Sequence, residues 1–401
     1  MADVTTVAIV GAGPAGLVAA HLLQRAGIGY VLLERHERSE MEMLAKAGAL
    51  EYRTVELLQK VGLSPSLLQF DHTNYCCEFR TPDESVVFDY GTLTGGRPHY
   101  VYPQHELVAK LCDALVEIGG DIRFGTHVTG LQRDGDDGDG DVTLTVLSST
   151  GGSSNIRCQV VAGCDGARGV IAGSLRGCQV VEQSLPVRWF AVLGTTPPLE
   201  PHTIYAAHPR GFAGQMRRLP TLTRFYLEVP ASDTIADWPE TRVREELTIR
   251  LMVPGRLDDV RFIEPSLVDL RMRMTSPMQD GRVFVAGDAA HVITPAGGKG
   301  MNLAIQDAVE LAYGFIERFG VADDGDRLAR YSDTRLPAIW RTQAFSRWML
   351  RLLLAGSDEG VDQNDSTTFG AGLRQGWISA FQHDPTLARW FSYAYAGVDP
   401  D

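Results

Sequence analysis

Thr5-Thr6-Val7-Ala8-Ile9-Val10-Gly11-Ala12-Gly13-Pro14-Ala15-Gly16 decides how this chain folds. Residues 5–10 are an unbroken apolar run, the pattern of a parallel strand buried on both faces. An apolar segment at 14–26 follows as a helix, and Tyr30-Val31-Leu32-Leu33 follows as a second strand ending in Glu34. The intervening Gly-x-Gly-x-x-Gly therefore has the strand-before, helix-after context that a dinucleotide cradle needs. Gly11 permits the tight turn, Gly13 lets backbone approach a pyrophosphate, and Gly16 lets helix and strand pack. The helix start, around Ala15, offers N–H groups to phosphate. Glu34 stands at the distance where a carboxylate accepts from a ribose hydroxyl.

The rest of the chain fits an ordinary globular protein. Its 401 residues are 44% hydrophobic and 22% charged, with a formal net charge of −13. At about 150 residues per domain the length predicts two or three domains. The acidic balance argues against nucleic acid as a partner, because phosphate binding needs a basic face. The six cysteines form no C-x-x-C pair or zinc spacing, so no metal site is expected. No stretch reaches the ~18 apolar residues of a membrane span, and the N-terminus lacks a basic leader, which predicts a cytoplasmic protein.

Helices are predicted at 52–61, 105–118 and 299–318. Strands are predicted at 127–134, 141–148, 157–163, 189–195, 203–207, 223–229, 267–274 and 282–286, with a mostly helical C-terminus interrupted at Pro337. The acidic run from Asp134 to Asp141 resembles a calcium loop in composition but lacks the closing Glu, so it reads as a solvated turn.

Two later motifs point to a flavin. One is Cys164-Asp165-Gly166-Ala167-Arg168. The other is Gly287-Asp288-Ala289-Ala290-His291, followed by Pro295 and by Gly297-Gly298-Lys299-Gly300-Met301-Asn302. A strand that delivers Asp288 can bind ribitol hydroxyls. A glycine turn that opens a helix can stabilise the negative edge of a reduced flavin. With these motifs in place, the chain resembles the class A flavoprotein aromatic hydroxylases, and within them the 4-hydroxybenzoate 3-monooxygenase family. The narrower likeness rests on Tyr205-Ala206-Ala207-His208-Pro209-Arg210-Gly211-Phe212, on Lys46-Ala47-Gly48-Ala49-Leu50-Glu51 and on Pro277-Met278-Gln279.

The resemblance implies an α/β, Rossmann-like fold of the glutathione-reductase type. An FAD-binding part would comprise 1–75, 100–178 and 270–315. A mixed or antiparallel substrate sheet would comprise 76–99 and 179–269, and a helical, dimer-forming segment 316–401. It implies non-covalent FAD, held by Gly11, Gly13, Ala15, Gly16, Glu34, Arg35, Lys46, Gln104, Asp165, Asp288, Gly298, Met301 and Asn302. O2 and NADH or NADPH would be co-substrates, the nucleotide meeting Arg35, Glu40, Lys46, Arg168 and Arg271. A carboxylate at Glu40 should repel a 2′-phosphate, which predicts NADH preference.

For chemistry, the resemblance implies attack by a flavin C4a-hydroperoxide on the ring carbon ortho to a para-hydroxyl or para-amino group. Arg218 would bind the carboxylate; by its neighbours Arg217 and Arg224 alone it could equally be a surface strand residue. Tyr205 would bond the phenol, Tyr395 would support Tyr205, the Pro295 carbonyl would touch the phenol, and His72 would pass the proton to solvent. Tyr226, Trp189, Met216, Gly214 and Ala49 would wall the pocket. Met216, Gly214 and Ala49 depart from the family pattern of Ser, Leu and Val, which predicts a roomier pocket with one polar contact fewer. Decarboxylating hydroxylation, another flavoprotein activity of the same fold such as a reductase or halogenase, and a non-enzymatic FAD-derived binder stay open on sequence. The intact glycines and the absence of a Trp-x-Trp-x-x-Ile motif weigh against the last two.

Overall fold

The computed structural model describes residues 3–42, 48–63, 73–135, 140–320, 326–354 and 366–398. Lys46, Ala47 and His72 lie outside the described residues, as does the middle of the acidic turn at 136–139.

The opening strand, Asp3–Val10, lies inside an eight-stranded sheet. It pairs in parallel with Tyr30–Leu33 on one side and Ser153–Gly163 on the other. Val7, Ala8, Ile9 and Val10 are all buried. Both faces of the strand are covered there, and so the run carries no period-two alternation. The opening helix, Pro14–Ala26, packs beside the long helix Gly300–Phe319. Proline at its first position supplies the φ a helix start needs, and Gly27, at φ 70°, closes it in the left-handed region. The predicted hairpin is present as Thr126–Arg133 and Val142–Ser148, joined antiparallel to Ser153–Gly163.

A second eight-stranded sheet runs His291–Val292, Phe262–Ser276, Gln179–Gly194, Leu222–Pro230, Gly211–Leu219, Thr203–His208, Cys76–Arg80, Ser85–Asp89. It is antiparallel except where Thr203–His208 meets Cys76–Arg80 in parallel. Register brings sequence-distant side chains onto one face. Tyr205 stands opposite Gly214, Gly214 opposite Tyr226, and Tyr226 opposite Ala191. In flanking rows Met216 faces Arg224, and Trp189 faces Glu228. This face packs on the C-terminal helices through Trp189, Phe212 and Tyr205 against Phe345, Phe391 and Tyr395. The opposite face, with Phe190, Phe225 and Leu227, is covered by Val243 and Leu247 of the helix Glu240–Arg250.

Sequence patterning missed part of this sheet. Gln179–Gly194 begins ten residues before the strand predicted at 189, because its first half is largely exposed and has no buried face to impose alternation. Gly211–Leu219 carries two glycines and two adjacent arginines, which hide its strand character.

Tyr331–Leu353 is one helix that carries Pro337 in its interior, so the predicted interruption is absent. Proline removes the N–H that would bond the carbonyl of Asp333. Both residues lie on the exposed side, where that carbonyl is open to solvent. The last helix, Pro385–Ala396, is capped by Asp384, which accepts from the N–H groups of Thr386 (2.8 Å) and Leu387 (3.3 Å). Gly397, at φ 68°, stops it. Those two ends fix the position of Tyr395.

Candidate active site

The cradle at the opening turn is shaped by what its glycines exclude. A Cβ on Gly16 would lie 1.9 Å from the carbonyl oxygen of Gly11, and one on Gly11 would lie 2.4 Å from that of Cys164. Gly13 is different: nothing lies within 4 Å of its Cβ position, so its backbone is open to a ligand. The helix start has no side-chain cap, which leaves its first N–H groups available. Glu34 is buried, and its carboxylate accepts from Ala12 N–H (2.8 Å) and His36 N–H (3.0 Å). Each oxygen keeps a lone pair for a ribose hydroxyl. Gly11, Gly13, Glu34, Arg35, Gln104 and Asp165 line one cavity, with Arg168 at its edge. Burial pushes the Asp165 carboxyl up, against the bond it accepts from Ile171 N–H (3.0 Å). Open backbone donors, a carboxylate on a strand end and a flanking cavity fit the adenosine and pyrophosphate of FAD.

The second glycine motif meets this cradle beside the opening helix, the Cβ position of Gly287 lying 3.6 Å from the Ala15 methyl. Asp288 is exposed at the turn after Val283–Val285. Gly287, at φ 60°, donates its N–H to Asp307 (3.1 Å). Asp307 is fully buried between His291 (2.5 Å) and Arg335 (2.7 Å). Burial pushes its carboxyl up, but His291 and Arg335 outweigh that and hold it low. Sequence reasoning missed this clamp, because Asp307 and Arg335 belong to no local motif. Gly297 and Gly298 are in the left-handed region, and Pro295 accepts Gly298 N–H (3.0 Å). Asn302 ties the helix start to its surroundings: its Oδ1 accepts from Glu51 N–H (2.9 Å), and its Nδ2 donates to Gly298 (2.9 Å). Beside it, Met301 is buried.

Facing this loop is the substrate-side sheet. Tyr205 and Tyr395 share a hydrogen bond between hydroxyls at 2.9 Å, and both are buried. Burial pushes both phenols well above their ordinary pKa, so they stay protonated donors at neutral pH. His99 donates to the Tyr395 carbonyl (2.8 Å), as does Lys299 (2.7 Å). Lys299 also pairs with buried Glu51 at 2.5 Å. Neither His99 nor Glu51 was read as a site residue. Lys299 was quoted within its motif, but nothing local announces its partners.

Arg218 is buried, with its guanidinium laid on Gly48: a Cβ there would lie 1.5 Å from Arg218 Nη1. Ala49 follows directly and approaches Gly298, whose Cβ position lies 3.9 Å from the Ala49 methyl. Arg218, Gly48, Ala49 and the glycine loop thus converge. Arg224 is a second buried arginine on this face, its pKa lowered by burial and then by the like charge of Arg218. Tyr226 lies 5.3 Å from the Trp189 ring, and the Trp189 indole N–H has no partner among the described residues. The predicted extra room at Gly214 is not open. The tip of the Phe212 ring stands 2.7 Å from the Cβ position, stacked on Trp189 at 4.7 Å. Met216 is half-buried beside Arg224.

Of the residues assigned to the nicotinamide nucleotide, Arg35 and Arg168 both line the cavity at the opening turn. Glu40 is exposed and accepts from Glu37 N–H (3.2 Å). Arg271 sits 3.9 Å from Glu182 on the second sheet. Arg273, two residues further, is the one that reaches the glycine turn, donating to the Ala167 carbonyl (3.2 Å).

Comparison with known proteins agrees with this geometry. The family model for an FAD binding domain matches residues 4–346. The p-hydroxybenzoate hydroxylase of Acinetobacter baylyi is 33% identical over 360 residues, 87% of this chain and 86% of its own. An anhydrotetracycline monooxygenase of Streptomyces rimosus is 30% identical over 77% of this chain and 61% of its own. In fold, the p-nitrophenol 4-monooxygenase of Pseudomonas putida superposes over 100% of both chains with a TM-score of 0.83 at 21% identity. No described helix is long and apolar enough to cross a membrane. The chain belongs to the class A flavoprotein aromatic hydroxylases, FAD-dependent monooxygenases that act on small aromatic substrates.

Proposed function

We propose that this enzyme hydroxylates a para-hydroxy- or para-aminobenzoate-type acid ortho to its activating group, with NAD(P)H as reductant. The observation that carries the reading is the buried Tyr205–Tyr395 hydroxyl pair on the sheet face that also presents Arg218. A ring carbon is far more nucleophilic beside a phenolate than beside a phenol, whose ordinary pKa is near ~10. Tyr205 donates to the substrate oxygen as it becomes anionic, and Tyr395 holds Tyr205 in line. Arg218 fixes the carboxylate with a planar fork and so sets which ring carbon is presented. Lys299, one carbonyl away, adds positive potential that favours the anion. Gly13, Glu34, Asp165 and Asp288 would hold FAD, which would carry electrons from NAD(P)H to oxygen. His72 and Lys46 keep their assigned roles as part of the proposal.

The Acinetobacter relative acts, by its name, on p-hydroxybenzoate, which supports this substrate class. Small Ala49 and non-polar Met216 favour a substituted ring over plain 4-hydroxybenzoate. Loss of the carboxylate in the same step is the variant reading. The exposed carboxylate of Glu40 supports NADH over NADPH, and the exposed Trp340 and Leu373 of the C-terminal helices support a homodimer.

The test is flavin reduction and NADH oxidation with parallel peroxide assay, across 4-hydroxybenzoate, 3,4-dihydroxybenzoate, 4-aminobenzoate and 3-substituted 4-hydroxybenzoates. One acid should accelerate reduction and yield little peroxide. Slow reduction with every acid would sink the reading.

A further inference from the structure

Behind the catalytic wall lies a second cavity that the proposed reaction does not use. It occupies about 1110 Å³ between the long helix Gly300–Phe319, the helix Tyr331–Leu353 and the last helix. Drug-sized ligand sites span roughly 300–1,000 Å³, so this one exceeds what a single-ring acid fills. Its apolar side is aromatic. Trp348 sits at the centre, 5.2 Å edge-to-face from both Trp377 and Trp390, with Phe345 at 5.8 Å. Trp390 is 44% exposed, an indole presented to the cavity rather than packed away.

The polar side is cationic. Arg341, Arg389 and Lys299 line it, and among the described lining residues Glu51 is the one carboxylate. That carboxylate is already matched by Lys299 at 2.5 Å and is walled in by Gly397, whose Cβ position lies 1.9 Å from Glu51 Oε2. Among the described lining residues positive charge is in excess, in a chain whose net charge is −13, and such a lining selects an anion. Indoles clustered edge-to-face, with Trp390 exposed, offer ring faces and edges to a flat π-system.

We infer that this cavity is a second binding site, for a fused-ring or two-ring aromatic carboxylate, with the rings against Trp348 and Trp390 and the carboxylate toward Arg341 and Arg389. The site stands independently of the catalytic assignments, and only its coupling to turnover rests on them. That coupling runs through the floor. Lys299, which pairs with Glu51 in the cavity, also donates to the carbonyl of Tyr395, whose hydroxyl holds Tyr205. An anion here competes with Glu51 for Lys299 and so bears on the catalytic phenols.

The experiment is calorimetric titration of FAD-loaded enzyme with 2-naphthoate, with sedimentation followed in parallel. Saturable binding at one site per chain is expected. Arg341→Ala, Arg389→Ala and Trp390→Ala should each weaken it by about tenfold, the scale of one charge-assisted contact. Arg218→Ala should leave it unchanged, and with wild-type enzyme 2-naphthoate should alter kcat for 4-hydroxybenzoate more than KM. Loss of binding in Arg218→Ala, or purely competitive inhibition, would mean that the probe occupies the catalytic pocket, and would overturn the second site. Absence of binding would overturn it too. A fall in sedimentation coefficient on titration would show that a second copy of the chain fills the cavity, which also defeats the proposal. Binding with turnover untouched would refute the coupling. Failure of Arg218→Ala to affect 4-hydroxybenzoate would instead break the catalytic reading alone.

Discussion

The FAD cradle and the substrate wall are built by opposite means. The cradle is backbone, shaped within a few residues by glycines that forbid side chains. The wall is side chains, brought from Trp189, Tyr205, Arg218 and Tyr226 by strand register and closed by Tyr395 from the end of the chain. A backbone site fails when atoms are added. A side-chain site fails when they are removed. Substitutions in the two regions should therefore break different things.

The largest effect is expected at Gly16. An added methyl would overlap the Gly11 carbonyl at 1.9 Å, and the group it meets is backbone, which has no flexible end to yield. Gly16→Ala should give protein that fails to retain FAD and unfolds at markedly lower temperature. Gly13→Ala sharpens the comparison, because nothing in the chain opposes its methyl. It should keep the thermal transition of the FAD-free protein and lose flavin affinity alone. Thermal scans with and without added FAD, read beside the 450 nm band, separate the two. Equal behaviour of both variants would show that the glycines serve the fold and not the cofactor.

On the wall, Tyr205→Phe removes one oxygen and no packing. FAD binding and substrate-stimulated reduction should persist, while hydroxylation falls by roughly 10²–10⁴-fold, the usual scale of a positioned acid–base group. The electrons should appear as peroxide. Retention of full coupling would remove Tyr205 from the chemistry.

This contrast also explains what was legible. The first motif sits in twelve consecutive residues, between its own strand and helix, so spacing alone carried the cradle. The aromatic-hydroxylase likeness supplied Tyr205, Tyr395 and Arg218, whose spatial meeting no local pattern encodes. What escaped was long-range. Asp307 finds His291 and Arg335, and Glu51 finds Lys299 across 248 residues, by packing of whole helices. The space at Gly214 was misjudged because the ring that fills it, Phe212, lies two residues away on the same strand and leans back over it.

The Lys299–Glu51 pair joins the two regions, and it should be costly to break. Lys299→Met leaves a buried carboxylate uncompensated, at about 3–5 kcal/mol. Adding Glu51→Gln should recover part of that in denaturant titrations. No recovery would mean that the bond from Lys299 to Tyr395, and not the ion pair, is what stabilises the junction.

The smallest effect, and the finest test, uses two histidines in the same chemical state. His21 in the cradle half donates Nε2–H to the Leu111 carbonyl at 2.8 Å, and His99 beside the wall donates to the Tyr395 carbonyl at 2.8 Å. Burial lowers both pKa values, that of His99 to about 3 with help from nearby Lys299. Unfolded histidine titrates near ~6.5. Below that pH the unfolded chain takes up protons that the folded chain refuses, so stability is full above 6.5 and declines as the solution is acidified toward 3. His21→Gln and His99→Gln keep a donor but cannot charge. Each should flatten the loss of stability between pH 6.5 and 4.5 in denaturant midpoints, before the carboxylates begin to titrate. They should differ in function. His21→Gln should leave coupling intact, because Leu111 touches no reacting group. His99→Gln moves the support of Tyr395, and should raise the peroxide fraction while FAD affinity holds. If both variants were fully coupled, the wall would be as tolerant of its second layer as the cradle, and the division between a backbone-built and a side-chain-built site would end at the first contact.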